Sequence, residues 1–186
     1  GDGTGSGSLT FDVQDDRNGE AQVYVSVTDG EGGTVGETFT LVVNEVNDEP
    51  ILTEIEDQYT DEDEDFTIEL SASDIDIETN GQFLSYSASS GDESLVLVSA
   101  SAEGDGELGT LIFDVQDDQY GTAIITVTVS DGELEDSEEF VLTVTPVNDT
   151  PVLISIDDQS TAEDVSIQVT LSATDVDGDE LSYSAV

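Results

Sequence analysis

The chain repeats itself at a spacing of about 101 residues, and that period restricts it to a tandem array of one structural unit. LTFDVQDD at 9–16 returns as LIFDVQDD at 111–118, and VSVTDGE at 25–31 returns as VTVSDGE at 127–133. LVVNEVNDEP at 41–50 returns as LTVTPVNDTP at 142–151, and EIEDQYTDED at 54–63 as SIDDQSTAED at 155–164. LSASDID at 70–76 returns as LSATDVD at 171–177. All these offsets are 101 or 102, but LSYSA at 84–88 returns at 181–185 with an offset of 97. The first copy therefore carries four extra residues near 78–82.

Within the repeat, apolar residues alternate with polar ones. Phe66, Ile68, Leu70 and Ala72 share one face, as do Ile125, Val127 and Val129, and Phe140, Leu142 and Val144. A period of two, with turns every 8–12 residues, predicts a two-sheet sandwich of about 100 residues. Seven strands are expected, at 51–55, 66–72, 83–88, 95–100, 111–115, 123–129 and 138–144. Val-Asn-Asp followed by Pro50 or Pro151 ends the last strand, because proline has no N–H for a ladder. This stretch reads as a linker between units. The expected division is 1–50, the last three strands of one repeat; 51–151, a complete repeat; and 152–186, the first three strands of another. Gly1 to Ser8 is expected to be a loop.

Charge narrows the function. The chain holds 46 Asp plus Glu against one cation, Arg17, and its net charge is -45. Such a charge first suggests disorder. Yet Leu, Ile, Val and Phe make up 52 of 186 residues, well above the level of disordered chains, and they alternate in register. Nucleic acid and anionic lipid are excluded as partners, because the chain repels phosphate and has a single cation with which to displace counterions. No apolar run approaches the 18 residues of a membrane span, so no membrane insertion is expected. There is no Cys and no Lys, so neither a disulfide nor a lysine cross-link clamps the fold, and no catalytic residue is assigned.

Strand direction alternates in a sandwich, which sorts the acids between its two ends. The end where the last strand leaves collects Glu62, Asp63, Asp117, Asp118, Asn148 and Asp149. The entry end collects Asp74, Asp76 and Asp131, facing Asn47, Asp48 and Glu49 of the preceding linker. Two carboxylates about 4 Å apart repel by about 4 kcal/mol at an effective dielectric near 20. The chain cannot supply the opposing cations. Ca²⁺ suits the position, because it takes 6–8 oxygens in flexible geometry, whereas Mg²⁺ holds its waters in strict octahedra.

These motifs resemble those of cadherins. ATDVDGDELSY at 173–183, with Asp175, Asp177 and Asp179, looks like the segment where Asp-x-Asp closes the second strand. VSDG at 129–132 is similar to the cadherin Asp that ends the sixth strand, here Asp131. VNDEP and VNDTP resemble the Asn-Asp-Asn-x-Pro linker. TDEDE at 60–64 and TAEDV at 161–165, with Glu163, stand where cadherins carry an early Glu. The third linker position departs from the pattern, with Glu49 in one copy and Thr150 in the other, and QDD replaces Asp-Arg-Glu.

The resemblance is to the bacterial cadherin-like, dystroglycan-type repeats of large surface adhesins. It implies tandem seven-stranded Greek-key sandwiches, immunoglobulin- or cadherin-like, one complete and two truncated. It further implies calcium-dependent cell adhesion at an extracellular or cell-surface location. The partners implied are calcium ions, neighbouring repeats, and other adhesin chains or glycans. The alternative is a glycan-binding sandwich with Tyr59 and Tyr120 as loop-borne rings, Tyr24, Tyr86 and Tyr183 being expected to pack.

Overall fold

The computed structural model describes residues 4–186, with backbone alone at 78–80. Gly1 to Gly3 of the expected loop lie outside the described residues. The alternation in the sequence becomes two four-stranded sheets face to face. One runs β3 (Ile51–Leu52), β5 (Phe66–Ser73), β8 (Leu108–Val115), β7 (Val96–Glu103). The other runs β4 (Gln58–Asp61), β10 (Glu135–Thr145), β9 (Gly121–Ser130), β6 (Ser85–Ser90). All pairings are antiparallel except β4 with β10, where Leu142 faces Gln58.

The facing side chains fill the space between the sheets. Leu70 and Ala72 of β5, Leu111 and Phe113 of β8, Ile125 and Val127 of β9, and Phe140 and Leu142 of β10 form one buried cluster. Phe113 lies parallel to Phe66, with ring centroids 4.2 Å apart, and meets Phe140 edge-on at 6.2 Å. Gly106 permits the tight β7–β8 turn: its φ is +96°, and a Cβ there would come within 2.3 Å of the Leu84 carbonyl.

Several expectations need correction. The strand expected at 51–55 extends only over 51–52 as β3, and the chain then crosses the sandwich edge to join the other sheet as β4, a strand that was not expected. Tyr59 accordingly sits on a strand, not a loop. The strand expected at 83–88 begins two residues later. A short helix, α1 (Ile75–Asn80), occupies the region of the four extra residues. Asp74 caps it, its Oδ1 accepting from Asp76 N at 2.8 Å, and Gly81 ends it at φ 76°.

On either side of the sandwich fewer strands form than the repeat would place there. Residues 19–43 make one hairpin, β1 (Gly19–Thr28) with β2 (Thr34–Val43). Residues 9–13 form no strand; Phe11 only meets Phe39 edge-on at 6.1 Å. In the sandwich the counterpart of 9–13 is β8, which lies between β5 and β7. No counterpart of those neighbours pairs with 9–13, so it has no ladder to join. After the second linker, β11 (Val152–Leu153) pairs with β12 (Ala173–Thr174), and 181–185 forms no strand. Tyr86 is buried as expected, but Tyr24 and Tyr183 are exposed, since no second sheet covers their units.

Candidate metal centre

The expected strand ends at Pro50 and Pro151 come earlier, at Val43 and Thr145, and the prolines instead close two short linkers that lead into β3 and β11. Each linker holds the same contacts one repeat apart. Asp48 N donates to Asp76 Oδ2 at 2.9 Å, and Asp149 N donates to Asp177 Oδ2 at 2.7 Å. Asn47 Nδ2 donates to the Asp48 carbonyl at 3.1 Å, and Asn148 Nδ2 to the Asp149 carbonyl at 2.7 Å. The backbone recurs as well. Asp16 and Asp118 have φ of 54° and 55°, and Asp63 and Asp164 have 64° and 63°. A left-handed backbone is uncommon outside glycine and favours Asp and Asn among the rest. At these positions it sharpens the turns that carry the acids.

At the first junction Asp74, Asp76, Asp131, Asn47 and Asp48 meet. Asn47 Nδ2 donates to Asp131 Oδ2 at 2.8 Å, bridging residues 84 apart in sequence. Asp74 and Asp76 are buried, at 8% and 4% exposure, and Asp74 Oδ2 has no hydrogen-bond partner. Asp16, Asp48, Glu49 and Asp74 line one cleft beside Ile51 and Ile75. Arg17, the lone cation, lines the neighbouring cleft with Asp16, Glu45, Asp48 and Asp76.

At the second junction Glu62, Asp63, Asp118, Asp149 and Asp177 meet. Glu62, 3% exposed, accepts from Val147 N through Oε1 at 2.8 Å, and Asp63 Oδ1 accepts from Asp118 N at 2.9 Å. Glu62, Asp149 and Asp177 place carboxylate oxygens within 4.8 Å of one another, and so do Asp63, Asp118 and Asp149. Asp149 Oδ2 is buried without a partner. Asp117, Glu163, Asp175 and Asp179 stand outside both sets. Asp117 lines a separate cleft with Ser94 and Gln119, Asp175 Oδ1 accepts from Asp179 N at 3.2 Å, and Glu163 is exposed. Asn148 is exposed beside its own Asp149.

The electrostatics show what the clusters cost. Burial pushes the Asp74 carboxyl above the usual 3.8, and the charges of Asp76 and Asp131 add to it against one hydrogen bond from Asp76 N. Lost hydration raises Asp48, followed by Asp16, Asp76 and Asp74. Lost hydration also raises Asp149, followed by Asp118, Asp177, Asp63 and Glu62. Asp131 goes the other way: lost hydration pushes it up, but hydrogen bonds from Leu134 N, Asn47 and Glu133 N outweigh that. A carboxyl raised in the folded state contributes stability that is complete below its unfolded value and lost as pH rises through the raised one. As pH rises through their raised values, Asp48, Asp74 and Asp149 come to oppose the folded junctions, and either a proton or a cation relieves them.

The donor set fits a hard cation. It consists of oxygens alone, from carboxylates, amides and backbone, and two buried carboxylate oxygens lack any partner. Calcium accepts that mixture and tolerates its irregular geometry. Two residues beside the first junction were not expected there. Arg17 carries no motif. Gln82, whose Nε2 donates to Asn47 Oδ1 at 2.9 Å, lies in the four-residue excess, and that excess was the available signal.

Residues 47–145, more than half of the chain, match the family described as Bacterial Ig domain (Big_9). Chitinase A of Pseudoalteromonas piscicida is 44% identical over 62 residues, which are 32% of this chain and 8% of that protein. The chain thus spans only a small part of that relative's length. The human Desmocollin-1 ectodomain superposes with a TM-score of 0.50 at 16% identity, over 71% of this chain and 28% of that one. Domains 1–6 of the surface layer protein SbsC give a TM-score of 0.40 at 14% identity, over 73% of this chain and 21% of that one. At 16% identity the likeness to the desmocollin ectodomain is one of fold alone.

Proposed function

The chain belongs to the bacterial Ig domain family, and on that premise we propose that it is an extracellular, calcium-stiffened extender of a bacterial surface adhesin. Residues 51–151 are one repeat of the rod, and 1–50 and 152–186 are parts of the repeats on either side. The observation that carries this reading is Asp149. It belongs to both sets of converging carboxylates, keeps one oxygen buried and unpartnered, and sits in the linker between repeats. A divalent ion supplies the positive charge that ties the linker to the sandwiches on both sides. The chain's own residues do the rest. Asp177 and Asp76 hold the linker backbone, Glu62 holds Val147, and the prolines limit the linker's freedom. Calcium-dependent cell adhesion is the activity such a rod serves.

A glycan-binding role is the second reading. Tyr59 and Tyr120 are both exposed, and a neutral sugar is a partner that a chain of charge -45 does not repel. Two dispersed rings form a small platform, so the junction chemistry is preferred.

Thermal melting of the calcium-free chain across a calcium titration tests the reading. Extracellular modules commonly bind calcium at about 10⁻⁴–10⁻³ M. At 100 times the dissociation constant each independent site adds roughly 2.7 kcal/mol. The melting temperature is expected to climb through the millimolar range, and to stay put when sodium replaces calcium at equal ionic strength. An equal response to both salts would reduce the junction acids to ordinary surface charge.

A further inference from the structure

The first junction leaves a buried oxygen open. Among the described residues, both sets of three converging carboxylates lie at the second junction. The first holds no such set, yet it buries Asp74 deeply and leaves Asp74 Oδ2 without a partner. A cation at the first junction would need further oxygens beside Asp74 Oδ2.

Gln82 supplies one. Its Oε1 is buried and has no hydrogen-bond partner, which costs the desolvation of a carbonyl unless something fills the place. Its Nε2 donates to Asn47 Oδ1 at 2.9 Å, while Asn47 Nδ2 reaches Asp131 at 2.8 Å on the other side. The linker asparagine is therefore held between two side chains of the sandwich. Asn148, its counterpart, is exposed and touches Asp149 of its own linker. Gln82 follows α1 and its Gly81 cap, within the four-residue excess. In the later copy only Glu180 separates Asp179 from Leu181, and no glutamine stands near it.

We propose that Gln82 is a ligand particular to the first junction, its Oε1 joining Asp74 Oδ2 in facing a calcium ion while its Nε2 positions Asn47. The proposal rests on the calcium reading above. Calcium takes amide oxygens of Asn and Gln alongside carboxylates. Exchanging a carboxylate for an amide keeps the coordination number and lowers the negative charge, which adjusts affinity. The four-residue excess that carries Gln82 would thus give the first junction an amide oxygen that the later copy's sequence does not provide.

Isothermal titration of the ion-free chain with calcium chloride is the test. Asp76→Asn identifies the heat from the first junction and Asp177→Asn that from the second; melting in chelator checks that each variant folds. Gln82→Ala is expected to weaken the first component about 10-fold, in the range that residues supporting a metal typically command. It leaves the second component alone, and Gln82→Glu, which keeps an oxygen there, retains most of the affinity. If Gln82→Ala leaves the first component unchanged, or weakens both equally, the proposal is overturned and the calcium reading stands. If the unaltered chain takes up no calcium, both fall.

Discussion

Phe113→Ala lowers the stability of the central sandwich by about 3–5 kcal/mol, the usual cost of emptying a large aromatic site. Phe113 is fully buried, lies parallel to Phe66 at 4.2 Å, and meets Phe140 of the opposite sheet at 6.2 Å. Its ring is one of the contacts between the two sheets. Domains of this size hold a net stability of about 5–15 kcal/mol, so the loss is a large share of the whole. Each kcal/mol is worth roughly 4–8 °C for a domain near 100 residues. Melting followed by circular dichroism in saturating calcium reads the effect, with Tyr59→Ala as the exposed control expected within about 0.5 kcal/mol. A Phe113→Ala drop as small as the control's would mean that the sheets do not pack through this ring.

Glu62→Gln reverses its effect with calcium. Glu62 is almost fully buried, and its carboxylate lies within 4.8 Å of those of Asp149 and Asp177. Repulsion of about 4 kcal/mol per pair at 4 Å is the upper scale, and it exceeds the roughly 1 kcal/mol of a single hydrogen bond. Glutamine keeps an oxygen to accept from Val147 N and removes the charge. In chelator the variant is therefore expected to be the more stable protein, by on the order of 1 kcal/mol after relaxation and screening are allowed for. In calcium the unaltered chain gains roughly 2.7 kcal/mol per site at 100 times the dissociation constant, and the variant forfeits much of that. The stability order inverts between the two buffers. Paired melts of both proteins decide the matter, and an order that is the same in both buffers contradicts a cation beside Glu62.

Much of the fold was legible because the chain alternates so regularly. β9 and β10 could be read directly from Ile125, Val127 and Val129 and from Phe140, Leu142 and Val144, which all prove buried. The break between β3 and β4 could not. Apolar residues continue through Ile55, and which sheet a strand joins is decided by its neighbours, not by its own pattern. Residues 9–13 carry the same FDV as β8 yet form no strand, because a ladder needs a partner on at least one side. α1 has too few residues to show a helical period, although its capping signals, Asp74 and Gly81, were present in the sequence.

The site divides in the same way. The repeated Asp-x-Asp, Asn-Asp and Glu-Asp motifs pointed to the junctions, because a period that returns the same acids also returns the same ends of the sandwich. What they could not show was which acids turn inward. Asp118 joins the second cluster while adjacent Asp117 faces another cleft, and a positive φ at Asp118 separates the two. Gln82 was hidden because an amide in a loop has no motif, and its role depends on where α1 places it.

Screening limits how far most of the -45 charge can act. At physiological salt, charges separated by more than about 8 Å are largely screened. The converging carboxylates lie well inside that distance. Cation occupancy, more than overall charge, should therefore set the angle between successive repeats. The direct test is small-angle X-ray scattering on the chain extended by whole repeats at both ends, first in excess chelator and then in millimolar calcium. The expected result is a longer maximum dimension and a narrower distribution of lengths in calcium, reversed by chelator and unaffected by equal ionic strength of sodium. Identical scattering in the two buffers would contradict the cation-bridged rod.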